Sequence, residues 1–550
     1  MHRREARDRE SLDPLGDAVR GGAIQTRPSS AGTWLLAVFL LQIVYQGCFF
    51  LRGLEYLVSR LAIDDTYYYL QVAWNTPRLG FVTFDGLHRT NGLQFLWNWV
   101  LTAVGAVMPS KNALLEACVG LCLLLNALCY VPIYRIGQAL GRPRFAIFLA
   151  FLWLNVNLTG SRWTLCGMEN SLHSLVAWAL IASGVSIGQS EQGARARNWV
   201  GFSLLLVLNV WCRVDAAILS ILLYGVVLSR ERRWVSRRIL LATTGIAAAG
   251  GVVLFGGFYA MGRSWMPVSA LIKSHSHVWT LKNFTVLAAR GFDFVTPISF
   301  LALSSLGEAV RMVWMPMMLG IATLALAWRA ARAEGFRTSR LAPLWAAFGV
   351  AGLVQLIVLS GMGTYGTYGV WYQSPYFVFC ALTVAMAMDE LVEIGIRRAW
   401  LTARTLHRAA VVALILYGGF AAAWFARLAR DDDYRESSFF YSAYRVAEWI
   451  RENTGETDVL AAFNAGEIGY FSQRTMINLD GLVNDYDYYA EVIRGTKKLD
   501  AYLSENRVRY FVDYQIPEDL LERAAVVFTL KHDERSVFRV VDLSSALPSP

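Results

Sequence analysis

The sequence predicts a transmembrane helical bundle, mainly α, that carries a small α/β domain outside the membrane. Of the 550 residues, 55% are hydrophobic and only 17% are charged, which is too apolar a balance for a soluble protein of this length. Several uncharged stretches reach about 20 residues, the length that an α-helix needs to cross a bilayer. After about residue 430 the composition becomes more polar, and strand-like patterns replace the apolar stretches.

Residues 1–30 are polar and rich in arginine, so we expect a disordered tail in the cytoplasm. The apolar stretch that follows is too long, and starts too far into the chain, for a cleaved signal peptide, so it is predicted to stay as a membrane anchor. It opens a transmembrane domain over residues 31–430. Backbone polar groups in lipid must pair within their own segment, which predicts helices. About 11 spans are predicted, near 32–53, 112–134, 143–160, 167–188, 198–212, 214–229, 238–260, 309–330, 341–360, 370–391 and 408–428.

The arginines predict the orientation of these spans. They concentrate in the N-terminal tail and in loops that follow alternate spans, and such loops usually lie in the cytoplasm. The pattern requires that residues 93–108 form a juxtamembrane or re-entrant helix, and that 198–229 breaks into two spans at Arg213-Val214-Asp215. The N-terminus is then cytoplasmic, and residues 431–550 lie outside the inner or plasma membrane. Because the arginines lie in these loops, the net charge of +9 does not indicate a nucleic-acid partner.

The external tail, residues 431–550, is predicted to be a small α/β domain. Phe439–Asn453 has the apolar spacing of an amphipathic helix. Short runs rich in β-branched and aromatic residues are typical of strands, and helical patterns separate them. The predicted strands are Asp458–Phe463, Thr475–Leu479, Val508–Tyr514, Ala525–Leu530 and Val537–Val541.

The first external loop, residues 54–111, is predicted to contain juxtamembrane helices, including one over Ile63–Thr76. At 3.6 residues per turn this helix has an apolar face and a neighbouring polar face. The apolar face consists of Ile63, Tyr67, Leu70 and Trp74, and the polar face of Asp64, Tyr68, Gln71 and Asn75, with Asp65 about a quarter turn away. Such a helix can lie in the membrane interface and hold Asp64 toward a cavity. The alternative is that Asp64 or Asp65 only caps the helix N-terminus.

Motifs in this loop and farther along the chain form a set. The most specific part is Asp64-Asp65-Thr66-Tyr67-Tyr68-Tyr69, followed by Phe84-Asp85-Gly86-Leu87 and Thr90-Asn91-Gly92. Weaker parts are Gly167-Met168-Glu169, Arg213-Val214-Asp215, Pro267-Val268-Ser269 with Lys273, and the tail segments 464–471 and 478–485. The set resembles a bacterial branch of the GT-C superfamily of membrane glycosyltransferases. That superfamily includes the protein O-mannosyltransferases and the aminoarabinose and arabinofuranose transferases.

The resemblance implies a GT-C type bundle and an enzyme that takes a sugar from a polyprenyl-phosphate donor at the outer leaflet. The acceptor would be a hydroxyl of a lipid, a glycan or a protein, and the transfer would be a single, inverting displacement. Asp64 would act as general base on that hydroxyl, since a carboxylate in a partly dry cavity can have a suitably raised pKa. Asp65 would orient the acceptor or stabilise the loop.

Further site residues follow from the matched motifs and from the chemistry of the leaving phosphate, which calls for cations. The candidates for donor phosphate binding are Arg213, Lys273 and Arg89. The candidates for substrate binding are Tyr68, Gln71, Asp85, Asn91, Glu169, Asp215 and His275. Arg213 has an alternative role, because it can form an ion pair with Asp215 or Glu169 at a helix break. Lys273 can also be an interfacial anchor.

Metal and cofactor use stays open at this point. His275-Ser276-His277 could supply metal ligands, or contact the substrate instead. Some enzymes of the resembled superfamily use a divalent metal ion near the paired acids, but no spacing in this chain establishes one.

Two other functions compete with the enzyme. The first is a transporter or flippase of lipid-linked saccharides, which would also need acids and arginines at the interface. Such a protein more often has inverted repeats, which the sequence does not show. The second is a non-enzymatic membrane scaffold whose external tail binds a partner. A scaffold would have no need of Asp64, Gln71 and Asn75 on one helix face.

Overall fold

A computed structural model describes residues 28–187, 192–275, 279–295, 317–327, 340–362 and 372–547. The predicted N-terminal tail, His277, nearly all of the loop at 361–369 and parts of the predicted span at 309–330 lie outside these ranges. The described α-helices before the tail domain are Pro28–Gly47, Leu54–Arg60, Asp64–Leu79, Phe95–Val107, Lys111–Leu128, Tyr130–Leu140, Pro143–Thr159, Ser161–Thr164, Asn170–Ile187, Gln192–Cys212, Ala217–Glu231, Arg237–Gly262, Val268–His275, Leu281–Val295, Met317–Ala327, Ala342–Ser360, Ser374–Arg397 and Ala403–Ala429. Short 3₁₀ turns cover Cys48–Arg52, Val214–Ala216 and Arg232–Trp234.

The predicted helical bundle is confirmed, and each predicted span contains a helix in the described part of the chain. Six described helices or continuous helix pairs are long and apolar enough to cross a membrane: Ala31–Arg52, Lys111–Leu140, Asn170–Ile187, Arg237–Gly262, Ala342–Ser360 and Arg404–Ala429. Shorter apolar helices at Phe95–Val107, Pro143–Thr159, Ala196–Cys212 and Met317–Ala327 lie between them in sequence. The number of spans, about 11, stays a prediction.

Two local predictions can be compared directly with the structure. The helix that ends at Cys212 is followed by a 3₁₀ turn at Val214–Ala216 and a new helix, so the predicted break at Arg213-Val214-Asp215 is present. The helix Phe95–Val107 has 13 residues, fewer than the roughly 20 that a perpendicular crossing needs. That length agrees with a segment that does not cross on its own.

The tail domain has a five-stranded sheet with the order β2-β1-β3-β5-β4. Its strands are β1 (Val459–Ala462), β2 (Thr475–Asn478), β3 (Val508–Asp513), β4 (Ala525–Lys531) and β5 (Val537–Asp542), and its helices are Phe439–Asn453, Gly466–Ser472, Tyr486–Tyr488, Leu499–Glu505 and Glu518–Arg523, with a π-turn at Tyr489–Ile493. All five predicted strands and the first helix are confirmed. β1 pairs in parallel with β2 and β3, whereas β5 runs antiparallel to β3 and β4.

The three central strands, β1, β3 and β5, are buried on both faces of the sheet. Leu460, Val512 and Val540 belong to the large hydrophobic cluster that continues into the bundle. Ala461, Phe511 and Val541, their neighbours in sequence, face a second, smaller cluster within the tail. This alternation follows from the two-residue period of a strand. One face of the sheet is therefore part of the core that it shares with the transmembrane domain.

Candidate functional site

The acidic helix, Asp64–Leu79, is the element around which the candidate site is built. It starts after Ile63, whose backbone N–H donates to Thr66 Oγ1 at 3.3 Å, while Thr66 Oγ1 donates in a short hydrogen bond to the carbonyl of Cys166. The side chain that meets this N-terminus is that of Thr66, and neither Asp64 nor Asp65 makes a capping hydrogen bond there, so the alternative in which one of these acids only caps its own helix is wrong. The first turn is free to present both carboxylates to other parts of the molecule.

The helix is one turn longer than the predicted Ile63–Thr76 and runs through Pro77. Proline has no backbone N–H, so the carbonyl four residues earlier, that of Ala73, loses its helical donor. The second apolar helix of the loop packs against that point, where a Cβ on Gly105 would lie 2.6 Å from the Ala73 oxygen. The proline is tolerated because it lies in the last turn.

The polar face of the acidic helix is covered by the tail domain. Asp64 Oδ1 accepts a hydrogen bond from the backbone N–H of Glu467 at 2.8 Å, and Asp64 Oδ2 accepts one from Gly466 at 3.3 Å. Tyr68 donates to Asp480 Oδ2 at 2.8 Å and accepts from Asn478 Nδ2 at 3.2 Å. Asp64 itself stays partly exposed. The predicted base therefore lies at the junction between the membrane domain and the tail domain.

Gln71, one turn farther along the same face, is also held at this junction. Its Oε1 accepts a hydrogen bond from Lys111 Nζ at 2.7 Å. Lys111 Nζ also donates to the carbonyl of Tyr470 in the tail domain at 2.8 Å. Gln71 thus serves to fix Lys111 in the structure, and its role as a substrate ligand stays a prediction.

Three carboxyl groups at the junction have raised pKa values. Burial raises the pKa of Asp64 to about 6, and the nearby negative charge of Asp65 adds to the increase. The hydrogen bond from the backbone N–H of Glu467 acts in the opposite direction and lowers this pKa. Burial likewise raises the pKa of Asp480 to about 7. Burial and the charge of Asp64 raise the pKa of Glu467 well above its ordinary value, and neither carboxyl oxygen has a hydrogen-bond partner within the described residues. Asp64 and Asp480 can therefore bind and release protons near neutral pH.

Asp65 faces a cation instead of the tail-domain backbone. Burial raises the pKa of Asp65, and the positive charge of Lys273 opposes that increase. Lys273 lies on the helix Val268–His275 and donates to the hydroxyl of Tyr372 at 2.7 Å. Burial acts to lower the pKa of Lys273, but the neighbouring Tyr372 and Asp65 hold it above its usual value. Lys273 is therefore charged at neutral pH and lies between the acidic cluster and Tyr372.

Arg213 is buried in an ion-pair cluster at the helix break. It forms a short ion pair with Glu169 and a two-point pair with Asp215, with Nε–Oδ1 and Nη2–Oδ2 distances of 3.0 and 3.1 Å. Its guanidinium carbon also lies 4.4 Å from the centre of the Tyr372 ring. The structure thus contains the ion pairs of the alternative role, and it also puts Arg213 and Lys273 on the same tyrosine.

A cavity of about 270 Å³ adjoins both cations. Its lining includes Arg213, Lys273 and Tyr372, the acid Asp215, and apolar side chains such as Leu219 and Val358. The apolar residues come from the helices Ala217–Glu231 and Ala342–Ser360. A cavity that combines two cations with apolar helix surfaces fits a lipid that carries a phosphate.

The other predicted site residues lie at different places. Asp85 accepts hydrogen bonds from the backbone of Leu87 and His88, both at 2.8 Å, and from the His88 ring, so it organises its own loop. Asn91 is 2% exposed and binds the carbonyls of Phe258, Ser264 and Met266 and the N–H of Val268.

Two predicted residues are at the surface. Arg89 is exposed, and its guanidinium carbon lies 5.4 Å from the centre of the Phe81 ring. His275 is also exposed, and its predicted companion His277 lies outside the described residues. Neither side chain makes a described hydrogen bond with the acidic cluster. Their substrate roles remain predictions.

The sequence reasoning missed three members of the site: Asp480, Glu467 and Tyr372. The first two lie inside the tail motifs at 478–485 and 464–471, so those motifs contained a signal that was not converted into site residues. Tyr372 lies in an aromatic-rich stretch of the sequence, and only its contact with both cations distinguishes it. In the described ranges, no group of three or more His, Cys, Asp or Glu side chains is arranged to hold a metal ion.

Similarity to solved structures decides the fold. ArnT from Cupriavidus metallidurans bound to undecaprenyl phosphate superposes with a TM-score of 0.57 at 13% identity, over 95% of this chain and 100% of that chain. The apo state of the same protein gives a TM-score of 0.56 at 14% identity, over the same shares of the two chains. The apo oligosaccharyltransferase of Archaeoglobus fulgidus gives 0.53 at 13% identity, over 90% of this chain and 70% of that chain. This chain has the GT-C fold.

The GT-C fold is recognisable here from structure and not from overall sequence identity. Among curated proteins, none matches the sequence. One family model matches, a domain of unknown function designated DUF8728, over residues 430–541. That match covers the tail domain of the GT-C fold, which contains Asp480 and Glu467.

Proposed function

We propose that the chain is an integral membrane glycosyltransferase that moves a sugar from a polyprenyl-phosphate donor to an acceptor hydroxyl on the external face, with inversion. The observation that supports this most strongly is the arrangement around Asp65. Asp65 interacts electrostatically with Asp64 and Asp480, whose pKa values are raised, and also with Lys273, which lines a cavity with apolar residues. Proton removal and binding of a lipid phosphate need these two environments next to each other.

In the proposed reaction, one carboxylate oxygen of Asp64 takes the proton of the acceptor hydroxyl. The acceptor oxygen attacks the anomeric carbon of the sugar as the bond from that carbon to the phosphate oxygen breaks. The bonding electrons pass to the phosphate, which leaves as polyprenyl phosphate, and attack from the opposite side inverts the anomeric centre. Asp64 ends the step protonated and returns its proton to water.

The hydrogen bonds at Asp64 suit this role. They occupy one lone pair on each carboxylate oxygen and fix the orientation of the group, so other lone pairs remain for an acceptor. A pKa of about 6 leaves most of Asp64 ionised at neutral pH and still basic enough to share a proton in the transition state.

The leaving phosphate would be bound by Lys273. Lys273 is charged, lines the cavity and donates a hydrogen bond to Tyr372. The polyprenyl chain would lie against the apolar helices that line the cavity. ArnT, with the same fold, binds undecaprenyl phosphate, which supports a donor of this class.

The decisive experiment compares Asp64→Asn with the wild-type protein in a transfer assay from a polyprenyl-phosphate sugar, using purified protein in detergent. We expect transfer to be lost while binding of the donor is kept, because the substitution removes the base and leaves the cavity intact. Asp487→Asn, which changes an exposed aspartate of the tail domain, is the matched control and should transfer normally. Full activity of Asp64→Asn would rule out the proposed base. A wild-type protein that moves the lipid across liposomes but never transfers the sugar would favour the flippase.

The proposed orientation has its own test. Ser544 is exposed in the tail domain, and a Ser544→Cys variant should react with a membrane-impermeant maleimide added to spheroplasts. The parent for this variant should have its natural cysteines replaced. Labelling only after the membrane is broken would put the tail domain in the cytoplasm and contradict the orientation.

A further inference from the structure

A second, larger cavity lies apart from the candidate site, between the first and last membrane-crossing helices. Its volume is about 800 Å³, and none of Asp64, Asp65 or Lys273 lines it. Its apolar wall contains Tyr45 of the helix Pro28–Gly47 and Phe420 of the helix Ala403–Ala429, whose rings stack with 6.4 Å between their centres. Both helices are long and apolar enough to cross the membrane, so this wall lies between two membrane-spanning segments.

The polar part of the cavity carries four arginines, namely Arg60, Arg162, Arg427 and Arg430. Arg60 is neutralised by Asp431, which its Nη2 and Nε atoms contact at 2.8 and 3.0 Å. The other three have no carboxylate within 4.0 Å in the described ranges of the chain. The cavity also contains a second aspartate, Asp433. Because four arginines face only these two aspartates, the cavity retains a surplus of positive charge.

Aromatic rings hold two of these arginines at the cavity. The guanidinium carbon of Arg427 lies 5.7 Å from the centre of the Trp424 ring, and that of Arg162 lies 5.2 Å from the Phe440 ring. Burial lowers the pKa of Arg162, and the charge of Arg60 lowers it further. Like charges held together in this way are stabilised by an anion between them.

The location of the charges is unusual for a membrane protein. With the tail domain outside, as in the proposed function, Arg427 and Arg430 lie at the outer end of the last span, whereas arginines generally accumulate at cytoplasmic ends. The same helix has Arg404 and Arg408 at its other end, where that rule expects them. The outer arginines therefore need a reason other than orientation of the helix.

We propose that this cavity binds the phosphate headgroup of an anionic phospholipid from the outer leaflet, with the acyl chains against the aromatic wall between the first and last spans. Arg162, Arg427 and Arg430 bind the phosphate by charge-assisted hydrogen bonds. The site is separate from the donor cavity at Lys273. It takes the orientation of the chain from the proposed function but requires no transfer activity.

The test measures lipid binding to the full chain in detergent by native mass spectrometry, with phosphatidylglycerol as the probe and phosphatidylcholine as the zwitterionic comparison. The variant is the double substitution Arg427→Gln/Arg430→Gln. The matched control is Arg404→Gln/Arg408→Gln, which removes two charges from the same helix at its other end. Each arginine near an anionic lipid is worth about 1 kcal/mol, so loss of the pair should weaken phosphatidylglycerol binding by roughly thirtyfold.

The expected result is that the wild type and the control bind phosphatidylglycerol equally well, that the Arg427/Arg430 variant binds it roughly thirtyfold more weakly, and that all three bind phosphatidylcholine equally weakly. Equal retention in both variants, or equal loss in both, would overturn the proposal, since binding would then not depend on this cavity.

Inorganic phosphate is the third probe. If phosphate alone stabilises the wild type against heat through Arg427 and Arg430 while phosphatidylglycerol does not bind, the cavity takes a free anion, and the lipid assignment is wrong. Arg162→Gln should also weaken lipid binding by itself. This single variant tests the same cavity if the double variant fails to fold. None of these readouts depends on sugar transfer.

Discussion

Asp64 Oδ1 lies 2.8 Å from the backbone nitrogen of Glu467, which is 403 residues farther along the chain. The proposed base of the membrane domain therefore caps a short helix of the tail domain instead of its own helix. The approach is close enough that a Cβ at Gly466 would lie 2.2 Å from the backbone oxygen of Asp64. The position of the base thus depends on how the tail domain docks.

Replacing Gly466 by alanine should disturb that docking. The added methyl group would overlap the backbone of Asp64, so we expect at least a tenfold loss of transfer and a lower temperature of unfolding. Gly418→Ala is the control, since a Cβ there meets nothing within 4 Å. Transfer rates and thermal unfolding of the two purified variants check this. Wild-type activity of Gly466→Ala would mean that the contact between Asp64 and the tail does not matter for transfer.

The rate of transfer should depend on pH with an acid limb near pH 6. Burial raises the pKa of Asp64 to about 6, so below that pH the base is protonated and the rate falls by about tenfold per pH unit. The negative charge of Asp65 contributes to the raised pKa, so Asp65→Asn should move the limb to lower pH in its remaining activity. Rate profiles between pH 5 and 8 at saturating donor measure this. A flat profile would contradict a base with this pKa.

Removing the charge of Lys273 should weaken the donor's interaction. A charge-assisted hydrogen bond to phosphate is worth about 1.5–3 kcal/mol, so Lys273→Met should reduce kcat/KM for the donor by roughly ten- to a hundredfold. Lys273→Arg keeps the charge and should retain much of the activity. Tyr372→Phe removes only the hydroxyl that Lys273 contacts at 2.7 Å and is expected to have a smaller effect. Steady-state kinetics with varied donor give these values, and equal kinetics for Lys273→Met and wild type would exclude a phosphate contact.

Arg213→Met should lower the stability of the protein, so this single variant cannot show whether Arg213 acts in catalysis. It leaves Glu169, which is 1% exposed, without its counter-charge, and breaking such a buried pair typically costs about 3–5 kcal/mol. Adding Glu169→Gln removes the stranded charge, so the double variant should recover stability. Thermal unfolding of the two single variants and the double variant measures the coupling. If the double variant is stable and also fully active, Arg213 has only the structural role; if it is stable and inactive, Arg213 also takes part in donor binding.

Much of the fold could be predicted because the relevant patterns are local. The break at Arg213-Val214-Asp215 is visible where two charges interrupt an apolar run, and the strand Val508–Asp513 is visible in its composition. The acidic helix was also predicted, with an error only at its last turn. The partners of its side chains were not, since Tyr68 meets Asp480 at a separation of 412 residues.

The sequence by itself determined that the chain is a helical membrane protein with a small C-terminal α/β domain and a helix whose polar face begins at Asp64. These properties follow from hydrophobic periodicity, which acts within a single helix or strand. Only the tertiary structure decided that Asn91 and Asp85 support loops, that Arg213 is paired with Glu169, and that Lys273 lies near Asp65. Those roles depend on which distant segments pack together, because a side chain's charge state and partners are set by burial and by neighbours that lie far away in sequence.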